Sequence, residues 1–398
     1  MTNATDHAYY KSPLTIYVVW HPGNPKGLFY GEALYNAFCR DTNSPLIRAL
    51  GIPVLFRYQP MDDSALPLAI PAEESDHNAI ILLVDEYMFE DAQWSAYIQT
   101  LIVQAQAEHT RLFPVALSAY AFSVDDSLNK SQFINLVEYN ESTDPVKNEK
   151  GITELKSRLL HDLSRMLYKI EEVTDAGRQT SPPPVTLFVS HAKIDGEVLA
   201  AQFRDYIGSN LKLKTFFDAN DIADADDFGE AICQNVENSA VVVFLTDQYS
   251  TREWCLIEVI VAKRNKSPLV VVNNLEHGEK RSFPYLGNVP TIRYKENCFP
   301  KIIDLALYQV LNNLYLNLKL KKEIELYRLD QKFTTYPIQN TPELFTYIDI
   351  KRLQKEHPDN KVLVIYPDPP LGKEELAILN DIDPLIQFIT PSLIHKVL

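Results

Sequence analysis

Residues 240–262, AVVVFLTDQYSTREWCLIEVIVA, read as a buried strand that passes through a short polar loop into an amphipathic helix. The run 241–245 is β-branched, aromatic or aliphatic throughout, which suits a parallel strand covered on both faces. After the loop 246–253, Trp254 and Glu258 stand four apart and share one face of the helix, while Leu256, Ile257, Ile260 and Val261 turn towards a core. The expected result is an indole beside a carboxylate at the mouth of a strand-to-helix turn. That spacing alone assigns nothing: a glutamate on a surface helix is ordinarily solvated, and a neighbouring tryptophan ordinarily packs.

The flanks continue the alternation. Strands are expected at 185–190, 213–217, 269–273 and 291–294, helices at 196–207 and 226–237, and a long closing helix at 299–329. An upstream segment, 13–172, follows the same order. It has strands at 15–20, 52–57, 79–84, 111–117 and 133–137, and helices at 31–40, 94–107 and 147–172. Such alternation implies parallel sheets with helices on both faces, an α/β doubly wound architecture of flavodoxin-like order. Between the two segments VTDAGRQTSPPP (173–184) carries three prolines and reads as a linker.

The segments read as copies of one unit. TIYVVWHP (15–22) parallels TLFVSHA (186–192), YGEALYNAF (30–38) parallels DGEVLAAQF (195–203), and AIILLVDEYMFEDAQW (79–94) parallels AVVVFLTDQYSTREW (240–254) with one residue more. On this pairing Trp94 matches Trp254, Ile98 takes the place of Glu258, Arg57 that of Asp218, and His21 is a remnant of the strand end. Residues 330–398 offer a further βαβαβ half-unit, which either docks on the rest or begins a longer domain. The expected organisation is therefore 1–172, linker 173–184, 185–329 and 330–398.

Composition narrows the function. With 398 residues and 46% hydrophobic content the chain has ample material for several cores, and a formal charge of −15 without any basic cluster argues against a nucleic-acid footprint. Cys39, Cys233, Cys255 and Cys298 lack metal-ligand spacing, which fits a reducing compartment, and Cys255 reads as a small buried hydrophobe. No apolar run approaches the about 20 residues that span a bilayer, so a cytoplasmic protein without membrane contact is expected.

In the order 2-1-3-4-5 a crevice opens between strands 1 and 3 beyond their carboxyl ends. Ser190 and His191 end strand 1, and strand 3 leads through Tyr249 and Ser250 to Trp254 and Glu258, so topology alone gathers these residues. The acidic loop after strand 2, 218–232, leaves the same edge and reads as solvated, with acids that favour the start of the next helix. No phosphate-cradling glycine loop follows strand 1, and no G-x-S-x-G turn is present. One carboxylate beside an aromatic wall suits cleavage of an N-glycosidic bond to a pyridinium. The leaving group departs neutral, and the demand falls on stabilising positive charge at the ribose carbon.

Here the residues resemble a family. LFVSHAKID (187–195), FFDANDI (216–222) and the S-x-x-x-W-C-x-x-E of 250–258 are similar to successive boxes of Toll/interleukin-1 receptor (TIR) domains of the bacterial, NAD-cleaving type. The resemblance covers about 185–315; the Phe-Trp of a third box is missing, since Pro300 follows Phe299. It implies a flavodoxin-like fold and an NAD+ glycohydrolase or ADP-ribosyl cyclase that serves antiphage immunity and takes NAD+ as substrate, with no resident cofactor or metal. It also implies Glu258 as the catalytic acid, with Trp254, Tyr249 and Ser250 around it and Ser190, His191, Phe217 and Asp218 on the nucleotide side. TIR enzymes self-associate, and a head-to-tail contact extends into a filament; a sensor or partner subunit stays unassigned. The segment 13–172 would be a degenerate, non-cleaving TIR-like copy. A non-catalytic TIR adaptor and a nucleoside deoxyribosyltransferase-like enzyme are the alternatives.

Overall fold

The computed structural model describes residues 10–44, 49–60, 66–106, 109–124, 128, 133–176, 185–210, 214–217, 239–279, 281–356 and 361–398. The first sheet uses β1 (Thr15–Trp20), β2 (Val54–Arg57), β3 (Asn78–Val84), β4 (Thr110–Ala116) and β5 (Ile134–Asn135). Around it run α1 (Gly27–Phe38), α2 (Glu86–Glu90), α3 (Ala92–Gln104), α4 (Val137–Asn140) and α5 (Pro145–Ala176). The second sheet uses β6 (Thr186–His191), β7 (Lys214–Phe217), β8 (Ser239–Leu245), β9 (Leu269–Asn273) and β10 (Thr291–Arg293), with α6 (Glu197–Asn210), α7 (Glu253–Arg264) and α8 (Phe299–Leu326). The tail forms β11 (Thr334–Pro337), α9 (Leu344–Glu356), β12 (Val362–Ile365), α10 (Lys373–Ile382) and β13 (Ile386–Ile389).

Both large sheets have the strand order 2-1-3-4-5, running β2-β1-β3-β4-β5 and β7-β6-β8-β9-β10, and every pair is parallel. The flavodoxin-like α/β architecture is thus present twice. The tail sheet is parallel in sequential order, β11-β12-β13. Successive crossovers in one direction place both helices on one face when each is right-handed. Tyr347 and Ile350 of α9 and Leu376 and Leu379 of α10 accordingly share one cluster with Val362, Val364, Ile386 and Phe388. By contacts the chain divides into 1–159 with 318–332, and 160–317 with 333–398, cutting within α5 and α8.

Several element ends differ from expectation. The helix expected at 147–172 runs from Pro145 to Ala176, into the expected linker, and Val137 opens a helix instead of ending a strand. The helix expected at 226–237 and the acidic loop lie outside the described residues.

The pairing of the two copies also needs correction. Thr15 pairs with Asn78 as Thr186 does with Ser239, and the path from β3 to α3 equals in length the path from β8 to α7. The residues that cap the two helices, Asp91 (φ −96°, ψ 111°) and Arg252 (φ −99°, ψ 116°), have one conformation. Trp94 therefore corresponds to Cys255 and Ile98 to Val259, each pair buried, while Tyr97 stands in the place of Glu258. Phe56 pairs with Val18 as Phe217 pairs with Val189, so Phe56 occupies the place of Phe217 and Arg57 follows it, in keeping with the expected match of Arg57 to the residue after Phe217. Counted along the strands, Trp20 holds the position of His191, and His21 lies one beyond it. In the first helix, burial at Gly27, Tyr30, Gly31, Leu34 and Phe38 matches burial at Gly196, Leu199, Ala200, Phe203 and Ile207, one turn away from the pairing by letters. Letter matching slips because uniformly apolar strands look alike in several registers, whereas cap geometry and helical burial do not.

Candidate active site

The site is built on β6 and β8, the central strands of the second sheet. All seven residues of β8 are buried, and Phe188, Val241, Val243 and Leu245 pack under Cys255, Val259 and Ala262 of α7. This packing fixes the rotation of α7 and brings Glu258 inward, to 7% exposure. Glu253 in the first turn and Lys263 and Arg264 in the last complement the dipole of α7.

At the carboxyl edge Ser190 donates to Glu258 Oε2 at 2.5 Å, and the Tyr249 hydroxyl lies 2.5 Å from Ser190 Oγ and 3.3 Å from the Cys255 carbonyl oxygen. An ionised carboxylate only accepts, and a serine has one proton. The chain of donation is therefore Tyr249 to Ser190 to Glu258. Burial pushes the Tyr249 phenol well above its ordinary pKa, reinforced by the neighbouring Glu258 carboxylate, so it stays a protonated donor.

The loops around this chain are latched to one another. Asp195, after β6, accepts from Thr246 Oγ1 at 2.7 Å and from the Gln248 amide at 2.9 Å. Asp247 accepts from the amides of Glu276, His277 and Gly278 and from the His277 ring at 3.1 Å. Desolvation works against its charge, but these donors together hold Asp247 below the usual carboxylate range. Gly278 sits at φ 103°, a left-handed backbone that side chains rarely adopt, and this turn presents its amide to Asp247.

Of the residues expected at the site, Ser190, Tyr249 and Glu258 are directly joined. His191 is buried, and its carbonyl accepts from Cys255 Sγ at 3.4 Å. Tyr249, expected beside the acid, lies behind Ser190 at 0% exposure and supports the acid from there. Ser250 bonds Glu279 Oε1 at 2.5 Å and so fastens the loop, where it was expected to flank the acid. Trp254 stands at the rim with 50% exposure. Phe217 ends β7, but its side chain and the whole of Asp218 lie outside the described residues. Asp195 and Glu279 were not singled out from the sequence; an acid in the turn between β6 and α6 is the one signal that could have pointed to Asp195. Among the described residues no cluster of side chains could hold a metal ion, and no helix is long and apolar enough to cross a membrane.

Residues 187–300 match the TIR domain family, and this part of the chain is a TIR domain. No curated protein matches the chain. Solved structures similar to it include tagatose-6-phosphate ketose/aldose isomerase from Escherichia coli, at 12% identity and a TM-score of 0.21 over 78% of this chain and 84% of that one. Another is the C-terminal domain of glucosamine-fructose-6-phosphate aminotransferase from Francisella tularensis, at 9% identity and a TM-score of 0.20 over 78% and 85%. Likenesses this slight carry no weight for fold or function.

Proposed function

We propose that the TIR domain cleaves the bond between nicotinamide and ribose in NAD+, with Glu258 as the catalytic residue. The observation that supports this most is the carboxyl of Glu258 held at the mouth between β6 and β8 by Ser190, itself backed by Tyr249. Nicotinamide leaves without a proton, so no general acid is required, and positive charge gathers at the ribose carbon as the bond lengthens. A carboxylate fixed in a water-poor site stabilises that charge or captures the sugar covalently, and an indole at the rim offers a stacking face. Water or the adenine ring then takes the ribosyl group, giving linear or cyclic ADP-ribose. The antiphage role follows only from the resemblance of this domain to NAD-cleaving relatives.

The first unit is read as a TIR-like copy that does not cleave NAD+, because a phenol, Tyr97, stands where the carboxylate would be. Self-association through the TIR domain belongs to the same reading. The test is incubation with NAD+ at several protein concentrations and mass analysis of the products. Wild type should release nicotinamide, and Glu258→Gln should lose about 100-fold or more of kcat, the scale on which one lost electrostatic partner of a transition state is felt. A folded wild type inert at every concentration supports the adaptor instead, and a specific activity independent of concentration removes self-association from the mechanism.

A further inference from the structure

We propose that the carboxyl edge of the first unit binds a phosphorylated ligand of the nucleotide class, gripped by Arg57 and Tyr97 beside an aromatic wall. The site does not depend on any cleavage by Glu258.

Arg57 ends β2, half-buried, with its guanidinium 5.0 Å from the centre of the Tyr17 ring. Its Nη1 donates to the Phe56 carbonyl at 3.0 Å, while its Nε is buried with no acceptor. No carboxylate lies within ion-pair distance of it among the described residues; Glu74 acts on the neighbouring Tyr17 but makes no such pair. The Tyr97 hydroxyl is likewise buried without a partner, in a residue only 7% exposed. Burial raises its pKa to about 12 against the opposing charge of Arg57, so it remains a donor close to that cation. Two donors and a positive charge thus converge on one spot with nothing to receive them. Leaving such groups unmade is costly, and native folds seldom tolerate it without a ligand or ordered water.

The place itself has meaning. In this strand order ligands enter beyond the carboxyl ends of the strands, where the second unit carries Phe217 and Glu258. The first unit carries Phe56 and Tyr97 at those two positions and Arg57 one residue beyond Phe56, so a phenol and a cation stand at this edge in place of the carboxylate of Glu258. A guanidinium offers parallel N–H donors that match phosphate oxygens, and a phenol adds a third. From Tyr97 a row of rings leads outward: Trp94 lies edge-on at 5.6 Å, His21 edge-on to Trp94 at 5.1 Å, and Tyr87 stacks on His21 at 5.8 Å and 7°. Tyr87 is 38% exposed and gives a base a face on which to stack.

The test is calorimetric titration of the full chain carrying Glu258→Gln, with ADP-ribose and, separately, pyrophosphate. Binding of ADP-ribose should weaken about 10- to 100-fold at this site on Arg57→Gln and about 3- to 10-fold on Tyr97→Phe, which keeps the packing of the ring. Unfolding temperatures of both variants report whether the fold is kept. Equal binding of pyrophosphate keeps the anion grip and removes the aromatic wall from it. Absence of binding, or binding unaltered in both variants, overturns the proposal and leaves ordered water to satisfy Arg57 and Tyr97. A chain that binds ADP-ribose through Arg57 but leaves NAD+ intact sinks the cleavage reading alone.

Discussion

A serine hydroxyl has one proton, and Ser190 gives it to Glu258 while accepting from Tyr249. Removing the hydroxyl leaves a buried carboxylate without this donor, so Ser190→Ala should lower kcat about 10- to 100-fold with little change in KM. Ser190→Thr, which keeps the hydroxyl, should retain most of the activity that Ser190→Ala loses, and Tyr249→Phe, acting one bond further away, should cost less, about 3- to 10-fold. Folded variants with an unaltered kcat would show that the chain does not position the acid. Asp85, at the end of β3, is a second buried acid. It is 3% exposed and accepts from the Met88 amide at 3.1 Å, and burial raises its pKa to about 6, reinforced by Glu86, despite that amide and the Asn24 side chain. The folded state therefore holds this proton more tightly than the unfolded chain. Its contribution is complete below about pH 4 and is lost as pH rises through about 6. Asp85→Asn should thus raise stability by about 1–3 kcal/mol at pH 7, and the gain should fade towards pH 4; unfolding temperatures compared across pH check this. At this scale the sequence brought out Glu258 and Ser190 through their place after strands. It did not show that Tyr249 stands behind them or that Ser250 turns to Glu279, because which way a loop side chain points depends on packing against other loops.

At the scale of elements, α1 begins against an indole. A side-chain carbon at Gly27 would lie 2.0 Å from Trp20 Cδ1, and one at Gly31 would lie 3.2 Å from the same ring. Trp20 is held in turn by Tyr58, stacked at 4.3 Å, and by Phe56, edge-on at 5.3 Å. Alanine favours a helix over glycine by about 1 kcal/mol, but overpacking a fixed core costs about 1–3 kcal/mol. Gly27→Ala should therefore destabilise the first unit, as a lower denaturant midpoint. An unchanged or higher midpoint would mean that the ring gives way easily. Strands and helices were legible from hydrophobic period, in their order and nearly in their bounds. The match of Trp94 to Cys255 was not, because only the equal loop lengths and the shared conformation of Asp91 and Arg252 fix where each helix starts.

At the scale of the molecule, the tail and the TIR domain fall in one unit. The last turn of α7, the helix that carries Glu258, meets the tail directly. Lys263 pairs with Glu343 at 3.0 Å, and Lys266 Nζ lies 4.3 Å from the centre of the Tyr336 ring, whose hydroxyl donates to Asp349 at 2.7 Å. A cavity of about 80 Å³ remains between them, walled by Ser267, Asn288, Asn313 and Asn340. The Lys263–Glu343 pair is largely shielded, with side chains 13% and 28% exposed, so removing one partner leaves a poorly solvated charge. Lys263→Ala should destabilise this unit by about 1–3 kcal/mol and speed proteolysis within 333–398. A variant with the stability and protease resistance of wild type would show that the pair contributes nothing to docking.

The sequence by itself determined the strands, their alternation with helices and hence two sheets of one order, because hydrophobic period and chain connectivity restrict parallel folds to few solutions. It also put Ser190, Tyr249 and Glu258 at one crevice, since strand order alone decides which loops meet. Only the tertiary structure decided that Tyr249 and Ser190 hold the acid from behind, that Tyr97 stands in the first unit where Glu258 stands in the second, and that the tail meets α7. These are matters of rotation and register, and the close packing of side chains, not their order along the chain, sets both.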